Sequence, residues 1–156
     1  MTITEGKAAP AFTLIDTDGN KVSLSGLKGQ NVILYFYPRD NTPGCTKEAC
    51  GFRDLWQQIQ ATDTVVLGVS PDNPASHRKF VDKYSLPFPL LCDPEKKVLE
   101  KYGAWGEKVL YGKKSMGVIR STVWIGKDGK VVKHWAKVAK AEAHPQQVLD
   151  ALLAAD

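Results

Sequence analysis

Residues 32–50 read Val-Ile-Leu-Tyr-Phe-Tyr-Pro-Arg-Asp-Asn-Thr-Pro-Gly-Cys-Thr-Lys-Glu-Ala-Cys. The first six, Val32–Tyr37, are all apolar or aromatic and rich in strand formers, the pattern of a strand buried on both faces of a sheet. Pro38 ends the ladder by removing a donor, and Asn41, Pro43 and Gly44 supply turn chemistry. From Thr46 onward Ala49, Phe52, Leu55, Trp56 and Ile59 recur at helical spacing, which predicts a helix to about Ala61. Thr42 followed by Pro43 fits an N-cap residue and a proline at the first helical position, so Cys45 is the third helical residue. A thiolate there receives amide hydrogen bonds and the positive end of the helix dipole. Cys45 is therefore a candidate nucleophile, the alternative being a small buried apolar residue.

Cys50 lies five residues further along the same helix. Five helical residues rise about 7.5 Å and turn about 140°, which separates the two Cα atoms by roughly 8–9 Å. A disulfide needs them within about 7 Å. A Cys45–Cys50 bond therefore requires the first turns to unwind, and Ala49 and Gly51 leave little bulk to resist. The alternative for Cys50 is a helix residue packed on the sheet.

Outward from this stretch, Phe12–Thr17 and Val22–Leu24 read as a hairpin turned by Asp18-Gly19-Asn20. Thr64–Ser70 is a second buried-type strand, and Asn73-Pro74 opens a helix by the cap-then-proline rule. Strand, helix, strand, helix at this spacing argues for parallel, right-handed βαβ pairing. A short apolar piece, Phe88–Asp93, contains Pro89 and leads into a helical segment from Glu95 to Tyr102. Residues 103–117 carry four glycines and no clear periodicity, and read as a long surface loop. Val118–Ile125 and Val131–Trp135 form a second hairpin around Gly126-Lys-Asp-Gly-Lys, and a helix from Pro145 to Ala155 closes the chain.

The 156 residues are 43% hydrophobic and 24% charged, the composition of one soluble domain spanning 1–156. The net charge of +4 comes from scattered lysines, which argues against nucleic-acid binding. No apolar run approaches a membrane span, and the first residues lack the pattern of a signal peptide. Three cysteines would leave one unpaired in a secreted disulfide framework, so a reducing cytoplasm is expected. A transit peptide trimmed from a longer precursor is compatible with the same chain. His77, His134 and His144 match no ligand spacing, and C-x4-C lacks the second pair of a zinc site, so no metal is expected. Cys92, in an apolar stretch, reads as a buried structural thiol and is the fallback partner for Cys45.

Pro38, Thr42 and Cys45 match the Pro-x-x-x-Thr-x-x-Cys signature of the peroxiredoxins. The longer run from Tyr35 to Cys50, with Trp105-Gly106-Glu107-Lys108 and Gly112-Lys113, resembles the bacterioferritin comigratory protein, or peroxiredoxin Q, subfamily. The resemblance implies an α/β, thioredoxin-like fold with an N-terminal β-hairpin extension. It implies a thiol peroxidase needing neither metal nor haem, in which Cys45 attacks hydrogen peroxide or an organic hydroperoxide and becomes a sulfenic acid. Cys50 then condenses with it to an intramolecular disulfide, and thioredoxin or a similar dithiol restores both thiols. Thr42, Gly44, Cys45 and Arg120 are the expected peroxide-binding set. Pro38 shields the site, and Glu48, one turn beyond Cys45, orients the arginine. Arg120 is expected on a strand, sharing a face with Thr122 and Trp124. A resolving pair within one chain removes the need for a dimer, so a monomer is expected. Two rivals remain: a protein disulfide oxidoreductase, usually built on C-x-x-C, and a binding protein whose helix melts on oxidation.

Overall fold

The computed structural model describes residues 3–155. The stretch from residue 31 forms the central strand β3 (Asn31–Phe36), and its neighbours follow from its composition. Val32, Leu34 and Phe36 enter one apolar core, while Ile33, Tyr35 and Tyr37 enter another on the opposite face. Alternate side chains point to opposite faces of a strand, so an unbroken apolar run calls for cover on both sides.

Around β3 the main sheet runs in the order β2 (Lys21–Ser23), β1 (Thr13–Asp16), β5 (Leu90–Cys92), β4 (Thr64–Ser70), β3, β8 (Ser121–Ile125) and β9 (Val131–Trp135). Strands β3, β4 and β5 are parallel, and β8 and β9 continue antiparallel beyond β3. This is the thioredoxin-like arrangement expected from the sequence. The N-terminal hairpin joins the main sheet, because β1 pairs with β5 through Ile15 and Cys92. Helices α1 (Pro43–Asp54), α2 (Trp56–Gln60), α3 (Pro74–Tyr84) and α5 (His144–Ala154) contribute to the core beneath Tyr35. Helix α4 (Lys97–Lys101) packs Val98 and Leu99 into the other.

Three expectations require correction. The helix predicted to Ala61 breaks at Leu55, so Trp56 belongs to α2 and not to the helix of Cys45. Residues 103–117 are not a loop. They form most of a two-stranded sheet, β6 (Trp105–Leu110) with β7 (Lys113–Val118), turned by Tyr111 and Gly112 at φ 52° and 76°. Two consecutive positive φ values are the signature of a type I′ hairpin turn. Lys113–Met116 are exposed, so one strand of this sheet lacks the apolar alternation that reveals a half-buried strand. Finally, the strand predicted over Val118–Ile125 is interrupted. Val118 belongs to the small sheet and Ser121 to the large one, where it pairs with Phe36. Ile119 and Arg120 make the crossing, with Ile119 N–H on Ala104 and the Arg120 carbonyl on Val138.

Helices α1 and α5 touch where Gly51 meets Pro145. A Cβ added at Gly51 would lie 2.7 Å from Pro145 Cγ, so this glycine is required by packing as well as being a weak helix former. Gly51→Ala should therefore destabilise the fold by about 1–3 kcal/mol, even though alanine favours helix by about 1 kcal/mol. Urea unfolding checks this, and in a Pro145→Ala background, which removes Cγ, the loss should shrink or reverse.

Candidate active site

The helix carrying Cys45 begins where the sequence places it. Thr42 has the extended backbone of an N-cap (φ −92°, ψ 155°), Pro43 is the first helical residue, and Thr46 N–H closes the first turn on the Thr42 carbonyl at 2.8 Å. The Thr42 side chain does not cap the helix. Its hydroxyl donates instead to the Arg39 carbonyl at 2.9 Å. With its one hydrogen so engaged, Thr42 Oγ1 offers lone pairs to an incoming donor. Among the described residues no hydrogen bond occupies the amides of Gly44 and Cys45. These are the orphan donors of a helix N-terminus, beside the thiol.

Arg120 completes the arrangement. The turn between the two sheets releases its side chain toward α1, where Nη2 donates to Cys45 Sγ at 3.2 Å and Nη1 to Glu48 Oε1 at 2.7 Å. It reaches the helix-bearing face of the sheet, the face expected for it, from outside any strand. Gly44 makes room: a Cβ there would stand 3.2 Å from Arg120 Nη2. Cys45 is buried, Thr42, Gly44 and Pro38 are half-buried, and Pro38 lies two residues beyond the end of β3. Thr42, Gly44, Cys45, Glu48 and Arg120 thus converge at the C-terminal end of a parallel strand, where open α/β sheets bind ligands.

Cys50 lies half-buried on the same continuous α1, and Cys45, Cys50 and Cys92 are all free thiols. Cys92 sits at the end of β5, where burial first and the Asp40, Asp16 and Asp72 charges next push its thiol up to about 11. A thiol shifted in that direction is disfavoured as a thiolate.

Glu48 is fully buried, which the sequence did not reveal, since a glutamate on an amphipathic helix ordinarily faces water. Burial raises its carboxyl from 4.5 to about 7, against the opposing pull of the Arg120 charge and hydrogen bond. Arg120 is raised in turn, because the Glu48 and Cys45 charges outweigh the cost of its burial. Tyr35, missed as a site residue, stacks on Tyr37 with ring centroids 5.5 Å apart and packs in the same core as Cys45. Burial first, then Glu48 and Cys45, raise its phenol well above the usual range and keep it neutral.

The Glu48 shift sets a pH dependence. A carboxyl raised by folding stabilises the native state fully below its unfolded value near 4.5, and that stability is lost as pH rises through about 7. Between pH 5 and 8 this amounts to roughly 2–3 kcal/mol. Glu48→Gln should abolish that decline, measured as the difference from wild type in urea unfolding at each pH. The difference separates Glu48 from His134 and His144, which burial pulls down and which therefore favour folding at higher pH.

Comparison with known proteins agrees with this geometry. Residues 5–134 match the AhpC/TSA family. The chain is 48% identical to a putative peroxiredoxin Bcp of Coxiella burnetii over 97% of its own length and 100% of that protein. It is 46% identical to peroxiredoxin Bcp of Bacillus subtilis, covering 97% and 96% of the two chains. The solved structure of the bacterioferritin comigratory protein of Xanthomonas campestris, studied for alkyl peroxide reduction, superposes with a TM-score of 0.90. It is 34% identical, covering 97% and 99% of the two chains. A thiol at the third position of a helix, an arginine on its sulfur and a matching family along almost the whole chain lead to one conclusion: the chain belongs to the AhpC/TSA family, as a peroxiredoxin of the bacterioferritin comigratory protein, or peroxiredoxin Q, group.

Proposed function

We propose that the protein is a thiol peroxidase in which Cys45 reduces hydrogen peroxide and organic hydroperoxides. The observation that carries this reading is the 3.2 Å hydrogen bond from Arg120 to Cys45 Sγ. A guanidinium cannot lose its proton, so it favours the thiolate and then the negative charge growing on the leaving oxygen. The distal peroxide oxygen accepts the sulfur lone pair and the O–O bond breaks. Cys45 becomes a sulfenic acid, and the proximal oxygen leaves with a proton as water or alcohol. Thr42 Oγ1 accepts from the hydroperoxide O–H, the Gly44 and Cys45 amides donate to its oxygens, and Pro38 keeps bulk water off the sulfur. Glu48 holds Arg120 in place.

Cys50 then attacks the Cys45 sulfur and expels water, forming an intramolecular disulfide. With both cysteines on one continuous helix, α1 must unwind between Pro43 and Cys50 for the sulfurs to meet. A dithiol reductant, for which we propose thioredoxin, restores the thiols by exchange. The protein acts as a single-domain monomer in the cytoplasm. Among the described residues no helix is long and apolar enough to cross a membrane.

Stopped-flow tryptophan fluorescence of the reduced protein mixed with peroxide tests the cycle. Trp56, at the start of α2, is the tryptophan nearest in sequence to the segment that unwinds and is the proposed reporter. Wild type should show two phases, Cys50→Ser only the first, and Cys45→Ser neither. Arg120→Ala should slow the first phase by about 100- to 1000-fold with the fold intact. No reaction of wild type with peroxide would sink the reading in favour of a disulfide-exchange enzyme. A second phase persisting in Cys50→Ser would move the resolving role to another thiol.

A further inference from the structure

Beneath the loop that carries Thr42 lies a buried polar network that the chemistry above leaves unused. Asp40 accepts hydrogen bonds from Tyr37 Oη at 2.5 Å and Ser76 Oγ at 2.8 Å, and its Oδ2 lies 2.7 Å from His77 Nδ1. His77 Nε2 faces the Leu91 carbonyl at 3.0 Å. A carbonyl only accepts, so Nε2 carries a hydrogen, and a further proton lies between Nδ1 and Asp40. Asp40, Asp72 and His77 also have the make-up of a metal-binding cluster, yet the facing Asp40 and His77 atoms are joined by that proton.

The network's reach into the active site runs through one peptide plane. The Asp40 N–H donates to Asp72 Oδ2 at 2.7 Å, and Asp72 Oδ2 also accepts from Ser70 Oγ at 2.8 Å. That N–H and the Arg39 carbonyl belong to the same peptide unit, which is planar, so orienting one orients the other. The Arg39 carbonyl is the acceptor that takes the Thr42 hydroxyl hydrogen. Whatever holds the 39–40 plane therefore decides where the lone pairs of Thr42 Oγ1 point.

We propose that Asp72, together with the Asp40–His77 pair, is a positioning device for peroxide. It fixes the Arg39–Asp40 peptide plane and through it aims Thr42 at the hydroperoxide proton. This rests on the peroxidase reading, and it assigns work to three residues that touch neither the sulfur nor the substrate.

The test compares two reactions of the same thiol in single turnover: oxidation of Cys45 by tert-butyl hydroperoxide, and its alkylation by iodoacetamide across pH. Only the first needs Thr42. Asp72→Ala should slow oxidation about 10- to 100-fold and leave the alkylation rate and its pH profile unchanged. Asp72→Asn, whose amide oxygen can accept in place of Oδ2, should recover most of the loss. Added to Thr42→Val, Asp72→Ala should cost nothing further, because both act through one hydroxyl. Ser70→Ala, a gentler change should Asp72→Ala fail to fold, should give a smaller loss of the same kind. Unchanged oxidation in Asp72→Ala, a parallel fall in both reactions, or additive losses with Thr42→Val would each overturn the proposal. A wild-type protein that is alkylated but not oxidised would instead overturn the peroxidase reading.

Discussion

The contact of the Arg120 guanidinium with Cys45 Sγ on one side and Glu48 on the other is the constraint around which the site is arranged. One cation shared between a thiol and a buried carboxyl must be held from a fixed direction, because either partner left alone would be a costly buried charge. The fold supplies that direction by leaving the large sheet's β8 and the small sheet's β7 separate, so that Arg120, in the crossing between them, reaches over the start of α1. The same crossing ties the backbone on both sides, through Ala104 and Val138. Glu48 then reads as a counterweight. Burial raises its carboxyl to about 7, against the opposing pull of Arg120.

Placing the thiol at the third helical residue solves one problem and creates another. It gives the sulfur a helix dipole, two unoccupied amides and a cation, at the cost of burying it almost completely. A partner cysteine five residues on cannot reach it within a regular helix. In the proposed cycle, reactivity and resolution thus demand two conformations of one segment. That segment is short, begins at a proline and contains two small residues, Gly44 and Ala49, which resist unwinding less than bulky core residues would.

Much of this was legible in the sequence, and the parts that were not share a cause. The run from Val32 to Tyr37 could be read because burial on both faces leaves no polar position. Thr42-Pro43 and Asn73-Pro74 could be read because helix starts are local chemistry; Asn73 caps α3, accepting from Ser76 N–H at 2.8 Å, while Thr42 holds the N-cap position without a side-chain cap. The hairpin from Trp105 to Val118 could not, since an exposed ribbon carries no alternation and only its Tyr111-Gly112 turn betrayed it. The meeting of Glu48 with Arg120 and the joining of Asp40 to His77 depend on partners 72 and 37 residues away, beyond the reach of any periodicity.

The junction of Gly51 with Pro145 has an electrochemical consequence. It lies one residue past Cys50 and fixes α1 to α5 there, so unwinding toward the disulfide is confined to the turns before it. In the proposed cycle the reduced protein keeps those turns folded and the oxidised protein does not, which makes their folding free energy a component of the disulfide's reduction potential. Every 1.4 kcal/mol of helix stability between Pro43 and Cys50 moves that potential by about 30 mV toward easier reduction. In that cycle the helix that holds the thiol is also a spring that helps the reductant to reset it, and its composition sets how far the resting enzyme is biased toward readiness.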